Sequence, residues 1–304
     1  MKVIDSVIVD GGISGLAAAL FLGRAKRSVC VFDDKKSNIL AVDKVREHLG
    51  FDGVSPEVML NNARKEVLNY GVNIIEEHVS NIHPLENGWF EVISENKRII
   101  TKTVILATGI HYEKPNILGI SPLWGKDLRV CPCFDGYEVA EKKFIVFGIH
   151  ERLAHMASWV SMWSDNITVI SPHKFDEQEE KKLKLLNIQI IQDDIQELIH
   201  EQNKLTAVRT IRGDYVPCDA TWVALKTYAK SSEFTSTLCK TNQDGTVITN
   251  HLGETSQKGV YAIGNITQPW DHLAHASASG TRIGPIVTNY LLEQRILELK
   301  QPKV

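Results

Sequence analysis

The chain has 304 residues, 43% of them hydrophobic and 23% charged, and carries a net charge of −3. That length holds two ordinary domains, and that composition belongs to globular proteins with proper cores. It offers neither the basic surface that nucleic acid needs nor a cationic face for an anionic membrane, and no apolar run reaches the roughly 18 to 20 residues that span a bilayer.

Five cysteines, Cys30, Cys131, Cys133, Cys218 and Cys239, are too sparse and too odd in number for a secreted disulfide framework. A reducing, cytoplasmic setting is expected. The apolar run from Ile13 to Leu22 does not read as a secretion signal, because Asp5 and Asp10 precede it and Lys2 is the lone cation before it. Cys30, Cys218 and Cys239 lie in or beside apolar, strand-like runs and are expected in the core.

In chain order, the β-branched run Val3 to Val9 predicts a strand, Asp10-Gly11-Gly12-Ile13-Ser14-Gly15 a tight turn, and Leu16 to Leu22 a buried helix. Strand, glycine turn and helix in that order suit a dinucleotide pyrophosphate. Gly12 lets backbone approach the phosphates, Gly15 lets helix and strand pack closely, and the helix start faces the negative charge. The next strand, Ser28 to Phe32, ends at Asp33-Asp34, about 20 residues on from the glycines, where an acid binds ribose hydroxyls.

One position departs from G-x-G-x-x-G, since Asp10 stands at the first glycine. A positive φ there costs roughly 1 to 2 kcal/mol, less for Asp than for most residues. A carboxylate about 4 Å from a phosphate adds about 1 to 4 kcal/mol of repulsion. Against the roughly 12 kcal/mol of a nanomolar cofactor, this weakens binding without abolishing it. The other reading is a relict turn that binds nothing.

Further strands are expected after Gly71-Val72-Asn73-Ile74-Ile75, around Val79, and over Thr103 to Leu106 before Ala107-Thr108-Gly109. The segment Cys131-Pro132-Cys133-Phe134-Asp135-Gly136 sets two thiols beside an acid, although dithiol motifs usually read Cys-x-x-Cys. A second strand-turn-helix unit runs from Lys142 through Gly148 to Ala157, followed by strands at Asn166 to Ile170, Ile188 to Ile191 and Thr206 to Ile211. Its turn keeps Gly148 alone of a glycine triplet. His150 and Glu151 stand where a pyrophosphate would lie, and Ser171-Pro172-His173-Lys174 lacks the arginines that grip a 2′-phosphate. NADPH binding is therefore doubtful.

A last strand ends at Gly264-Asn265, and Trp270-Asp271-His272-Leu273-Ala274-His275 opens a final helix. His272 and His275, three apart, share a helix face and read either as a proton relay or as satisfied surface histidines. No third ligand has the spacing a metal would need. Ser277 has no accompanying His and acid pattern of a hydrolase.

These motifs, taken together from Ser6 to about Leu292, resemble the low-molecular-weight thioredoxin reductases and their FAD-dependent relatives. The resemblance is closer to the branch of natural-product dithiol oxidases, the gliotoxin, holomycin and romidepsin type, on Asp52-Gly53-Val54-Ser55-Pro56, Trp124-Gly125, Trp163-Ser164-Asp165 and Gly264-Asn265-Ile266-Thr267. It implies an α/β fold of two Rossmann-like, three-layer β-β-α nucleotide-binding domains, the second inserted into the first. The expected divisions are 1–112 and 244–304 for the FAD domain, and 113–243 for a degenerate NAD(P)-type domain carrying the cysteines.

By the same resemblance, FAD is the implied cofactor. Gly11, Gly12, Ile13, Ser14 and Gly15 would face its pyrophosphate, Asp33 and Asp34 its ribose, and the Val79 backbone its adenine. Asn38, Ala107, Thr108, Gly109, Gly264, Asn265 and Ala274 would line the rest. Members of the branch read Cys-Pro-x-Cys-His-Gly, whereas this chain reads Cys-Pro-Cys-Phe-Asp-Gly, so Phe134 takes the second family cysteine and Cys133 a position normally without a thiol. Cys131 and Cys133 are the candidate redox pair, with Asp135 as acid/base and His275 as relay; the alternative is a flavin-binding protein that has lost dithiol catalysis, either non-catalytic or acting on a non-thiol substrate. Implied partners are a small dithiol or disulfide, or a redox protein such as a thioredoxin or ferredoxin, with a homodimer as the assembly.

Overall fold

A computed structural model describes residues 3–230, 232–270 and 272–300, without the side chains at 150, 232 and 233. Asp271, expected ahead of the last helix, lies outside the described residues. In chain order the elements are β1 (Ile4–Val9), α1 (Ile13–Arg24), β2 (Val29–Phe32), α2 (Pro56–Leu68), β3 (Asn73–Ile75), β4 (Val79–Pro84), β5 (Phe90–Ser94), β6 (Arg98–Leu106) and β7 (Ile110–Tyr112). Then follow α3 (Ile120–Leu123), β8 (Leu128–Arg129), α4 (Pro132–Asp135), β9 (Phe144–Gly148), α5 (His150–Val160), β10 (Ile167–Ile170), α6 (Glu177–Leu185), β11 (Gln189–Ile191), β12 (Ile195–Glu201), β13 (Lys204–Thr210), β14 (Tyr215–Pro217) and β15 (Ala220–Ala224). The chain closes with β16 (Thr227–Ala229), α7 (Ser232–Leu238), β17 (Val260–Ala262) and α8 (Leu273–Lys300).

Two compact units form, one from residues 1–38, 57–111 and 227–304, the other from 39–56 and 112–226. In the first, β3, β2, β1 and β6 run parallel in that order. The far edge of β6 is shared: its start pairs antiparallel with β5, through which β4 is added, and its end pairs parallel with β17. One long strand thus carries both the parallel sheet and the antiparallel layer. Apolar residues of β1, β2, β4, β5, β6 and β17 build the core, joined by Phe234, Leu238 and Cys239 from α7 and its end. The second unit repeats the plan with a parallel sheet β11-β10-β9-β15-β8 and an antiparallel ladder β12-β13-β14. The α/β, two-Rossmann expectation holds.

The divisions fall differently from 113 and 243. Residues 227–243 belong with the first unit, because Ala229, Phe234, Leu238 and Cys239 complete its core. Residues 39–56 belong with the second, where the Ala41 carbonyl sits against Gly125 and Arg46 is paired with Asp135 and Glu138. Side chains that reach far along the sequence decide both boundaries, and no local composition change marks them. Cys30, Cys218 and Cys239 are buried, as expected. Among the described residues no helix is long and apolar enough to cross a membrane.

The two ends of the first unit meet where α8 crosses α1. A Cβ on Gly280 would drive into the Ser14 carbonyl oxygen and the Ala17 side chain, so only glycine permits this crossing. Gly280→Ala is therefore expected to destabilise the protein by about 1 to 3 kcal/mol. The measurement is urea unfolding, with a lower midpoint at unchanged m.

Candidate active site

In the first unit β1 delivers Asp10 to the turn with φ 82°, the left-handed conformation that glycine would hold without strain. Gly12 caps α1 in extended conformation, and no side-chain cap bonds the helix start. A side chain there would meet nothing nearer than Ser37 Oγ at 3.8 Å, so the face is open to a ligand. Gly15 is closed instead: its Cβ would strike the Asp10 carbonyl oxygen.

Asp33 is buried and lies against Gly11. Its Oδ2 accepts from Arg64 Nε at 2.9 Å and its Oδ1 from the Lys35 N–H at 2.9 Å. Arg64 on α2 thus holds the acid that the sequence pattern assigns to ribose. Asp34 Oδ1 accepts from the Lys36 N–H, and Asp34 Oδ2 lies 3.6 Å from His78 Nδ1. A cleft of about 420 Å³ opens beside β4 and is lined by Asp34, Lys36, Glu76, Glu77, His78, Ser80 and Glu95. Val79 starts β4 between two of these residues.

The Asp10 carboxylate is largely buried. Its Oδ1 has no hydrogen-bond donor, and its Oδ2 stands 3.8 Å from Lys230 Nζ. Burial, aided by Asp34 and Asp33 and opposed by Lys230, pushes its pKa up to about 7. Carboxylate oxygens of Asp10, Asp33 and Asp34 all lie within 4.8 Å of one another.

Around the same end of the sheet, Asn38 Nδ2 donates to the Ile110 carbonyl at 2.7 Å, and Thr108 Oγ1 to the Lys230 carbonyl at 3.2 Å. Gly109 accepts from the Lys230 N–H at 3.0 Å. Gly264, at φ 69°, packs against Ser14 and donates to Ser279 Oγ, with half-buried Asn265 next in its turn. Ala274 and His275 are exposed on the first turns of α8, where the His275 and His272 rings stand perpendicular at 6.4 Å. The open helix start, the glycine face and the ordered acids fit a dinucleotide, while Asp10 adds a charge that such a ligand must answer.

The thiols belong to the second unit. Cys131 precedes α4 in extended conformation, and Pro132 at the first helical position turns the chain so that Cys133 follows within the four-residue helix. Both cysteines are free and partly exposed. Burial raises the Cys131 pKa, and the neighbouring Cys133 partly offsets that rise. Burial, then the charge of Cys131 and that of Glu47, pushes Cys133 up to about 12. Tyr112 is also pushed up to about 12 by burial and by Cys131, and the Arg152 charge pulls against it.

Asp135 sits between two guanidiniums, 3.8 Å from Arg46 Nε and 3.7 Å from Arg129 Nε. Arg46 also meets Glu138 at 2.9 Å, and buried Arg129 lies over the Trp222 ring at 5.6 Å. Burial nevertheless lifts the Asp135 pKa against the pull of Arg129. At the second glycine turn, a Cβ on Gly148 would strike the Ala224 backbone, so that glycine serves packing. Glu151 stands in the first turn of α5, and Arg152 Nη1 donates to the Leu225 carbonyl at 3.3 Å. Ser171 is buried and exchanges hydrogen bonds with the His173 backbone, and α6 opens with Glu177, Glu179 and Glu180.

Residues 4–280 match the pyridine nucleotide-disulphide oxidoreductase pattern. The chain belongs to that family. It is an oxidoreductase, 27% identical over 280 residues to the 34.2 kDa protein in the rubredoxin operon of Clostridium pasteurianum, covering 87% of this chain and 89% of that one. It is 22% identical over 312 residues to the thioredoxin reductase of Bacillus subtilis, covering 96% of each. Its fold superposes on the crystal structure of HlmI with a TM-score of 0.93 at 26% identity, covering 98% of this chain and 95% of that one. On a putative thioredoxin reductase, TrxB of Bacillus anthracis, the TM-score is 0.91 at 25% identity, covering 96% and 99%.

The sequence patterns do not single out Lys230, Arg64, Arg46, Arg129 or Arg152: all but Arg129 act on residues distant in sequence, Arg129 reaches Asp135 six residues on, and none belongs to a spaced motif.

Two outcomes are expected. Because the folded Asp10 pKa lies above its ordinary 3.8, the wild type loses stability as pH rises from about 4 to about 7. Asp10→Asn lacks that loss, so its advantage in urea unfolding is expected to grow by about 2 to 4 kcal/mol between pH 4 and pH 8. For the thiols, the Cys131 pKa is raised by burial and lowered by Cys133. Its iodoacetamide alkylation, read by mass spectrometry, should rise only above pH ~8.5, and Cys133→Ala should move that midpoint higher still.

Proposed function

We propose that this oxidoreductase binds FAD and converts a small dithiol to a disulfide through Cys131 and Cys133, without NADPH. The observation that carries the reading is the placement of two free, partly exposed thiols two residues apart around the start of α4, in a chain of this family. FAD, when bound, would supply the two-electron acceptor that returns the pair to the disulfide, with oxygen as final oxidant. Gly12, Gly15, Asp33, Asp34, Ala107, Thr108, Gly109, Gly264 and Asn265 would hold it.

The thiol step follows from which sulfur bears charge best. A substrate thiolate attacks Cys133 of the oxidised pair, a mixed disulfide forms on Cys133, and Cys131 leaves as thiolate, stabilised by the Cys133 backbone N–H. The second substrate thiol gives up its proton and displaces Cys133. The substrate departs as a disulfide, and the pair keeps its two electrons and one proton, Cys131 as thiolate and Cys133 as thiol, while the proton first lost by the substrate passes to solvent. Asp135, its pKa raised by burial, is the group we assign to proton transfer.

Absence of NADPH use is supported by Glu151 at the second dinucleotide turn, by the packing role of Gly148 and by the acidic start of α6. The thioredoxin reductases among its relatives supply the precedent for thiol and disulfide chemistry, and a homodimer accompanies the reading. One observation favours a second reading, a flavin protein that has lost dithiol catalysis: burial pushes both thiols up, where reactive cysteines are usually pushed down.

The test is anaerobic titration of FAD-loaded protein, followed by absorbance near ~450 nm. Bleaching by dithiothreitol but not by NADPH or NADH is expected, and Cys131→Ser should slow it by at least ~100-fold, about 2.7 kcal/mol of barrier. Equal bleaching in Cys131→Ser would move the chemistry off the thiols and onto the second reading. Reduction by a thioredoxin or ferredoxin alone would replace the small dithiol by a protein partner.

A further inference from the structure

We propose that Asp10 and Lys230 make cofactor capture proton-coupled: the dinucleotide enters together with a proton on Asp10, which frees the Lys230 ammonium to face the pyrophosphate. The inference rests on the FAD reading above. Asp10 holds a glycine position at φ 82°, and its buried Oδ1 has no donor. Its Oδ2 faces Lys230 Nζ at 3.8 Å. Lys230 is fixed in place by its own backbone, with its N–H on the Gly109 carbonyl and its carbonyl on Thr108 Oγ1. Its Nζ also donates to the Lys36 carbonyl at 2.8 Å. It therefore borders the same strand end, Ala107 to Gly109, that the family resemblance assigns to the cofactor.

Charge balance says which group must yield. Facing Asp10 are Lys230 from the segment after β16, and Asp33 and Asp34 from the end of β2. Asp33 is itself held by Arg64 of α2, and Asp34 lies beside His78 ahead of β4. Three carboxylates against Lys230 and Arg64 leave an excess negative charge, and a pyrophosphate would bring two more. Asp33 keeps an arginine and a backbone N–H on its oxygens. Asp10 has an ammonium at 3.8 Å and the Gly11 backbone against the same burial, one oxygen stays without a donor, and its pKa is already pushed up to about 7. Protonation there removes the repulsion nearest the phosphates and releases Lys230 from its one carboxylate contact.

The sign follows. A ligand that prefers protonated Asp10 binds tightest below pH 7 and takes up a proton when it binds above. For a group titrating near 7, the apparent Kd should rise about tenfold from pH 6 to pH 8. Flavin-stripped protein titrated with FAD at pH 6, 7 and 8, read by flavin fluorescence, gives that slope. Calorimetry in two buffers of different ionisation enthalpy gives the proton count. Asp10→Asn should bind with no slope, His78→Gln should keep it, and Lys230→Met should weaken binding at least fivefold at pH 6. A flat wild-type profile, a slope that survives in Asp10→Asn or vanishes in His78→Gln, or unchanged affinity in Lys230→Met would overturn the proposal while leaving the FAD reading intact. Failure of both the wild type and Asp10→Gly to bind FAD at any pH would overturn both.

Discussion

No side chain larger than hydrogen fits on either flank of Ser14, and much of the first unit follows from that. Gly15 brings α1 against the Asp10 carbonyl, and Gly280 brings α8 against the Ser14 carbonyl. Strand, first helix and last helix are thereby locked at one point, although α8 comes some 260 residues later in a chain that closes this unit only on its return. The lock fixes the start of α1, and so the direction in which its unbonded N–H groups face. Asp10, whose carbonyl Gly15 packs against, stands at φ 82° in the same turn. The strain at Asp10 is a consequence of the same close approach that makes the turn able to receive a phosphate.

The second unit shows the same grammar put to a different use. Its strand, turn and helix survive, and Gly148 at φ 122° is as obligatory as Gly15, yet the reason is contact with the Ala224 backbone. Glu151 then follows in the helix start, where a phosphate would meet it. A glycine turn is therefore kept by packing after the ligand chemistry around it has changed. A glycine in such a motif reports close approach first, and binding only when the neighbouring side chains leave the space open, as they do at Gly12.

That distinction also sets what was legible in the sequence. The strands β1, β2, β4, β6, β9, β10, β11, β13 and β17, both turns and the helices α1, α5 and α8 were readable because alternation and glycine spacing are short-range, and the cost of Asp10 was readable because the motif names its conformation in advance. The long cations were not. Lys230 reaches back to Asp10, Arg64 to Asp33 and Arg46 forward to Asp135, each across a stretch with no periodicity linking the partners. The same long reach assigns residues 39–56 to the second unit, which no change in composition announces. Sequence patterns encode where backbone goes; which charge answers which acid is settled by tertiary contact.

Burial acts in one direction on Asp10, Asp135 and Cys133, favouring the protonated form of each, and what opposes it makes them different groups. Asp135 has two guanidiniums near its two oxygens, so its carboxylate is supported while its proton remains accessible. Asp10 has one ammonium at 3.8 Å against two neighbouring acids, and is left poised near neutrality. Cys133 has Cys131 and Glu47 adding to burial, and stays a thiol. Burial raises Cys131 as well, but there Cys133 pulls against the rise, so the two cysteines are not equivalent halves of a pair.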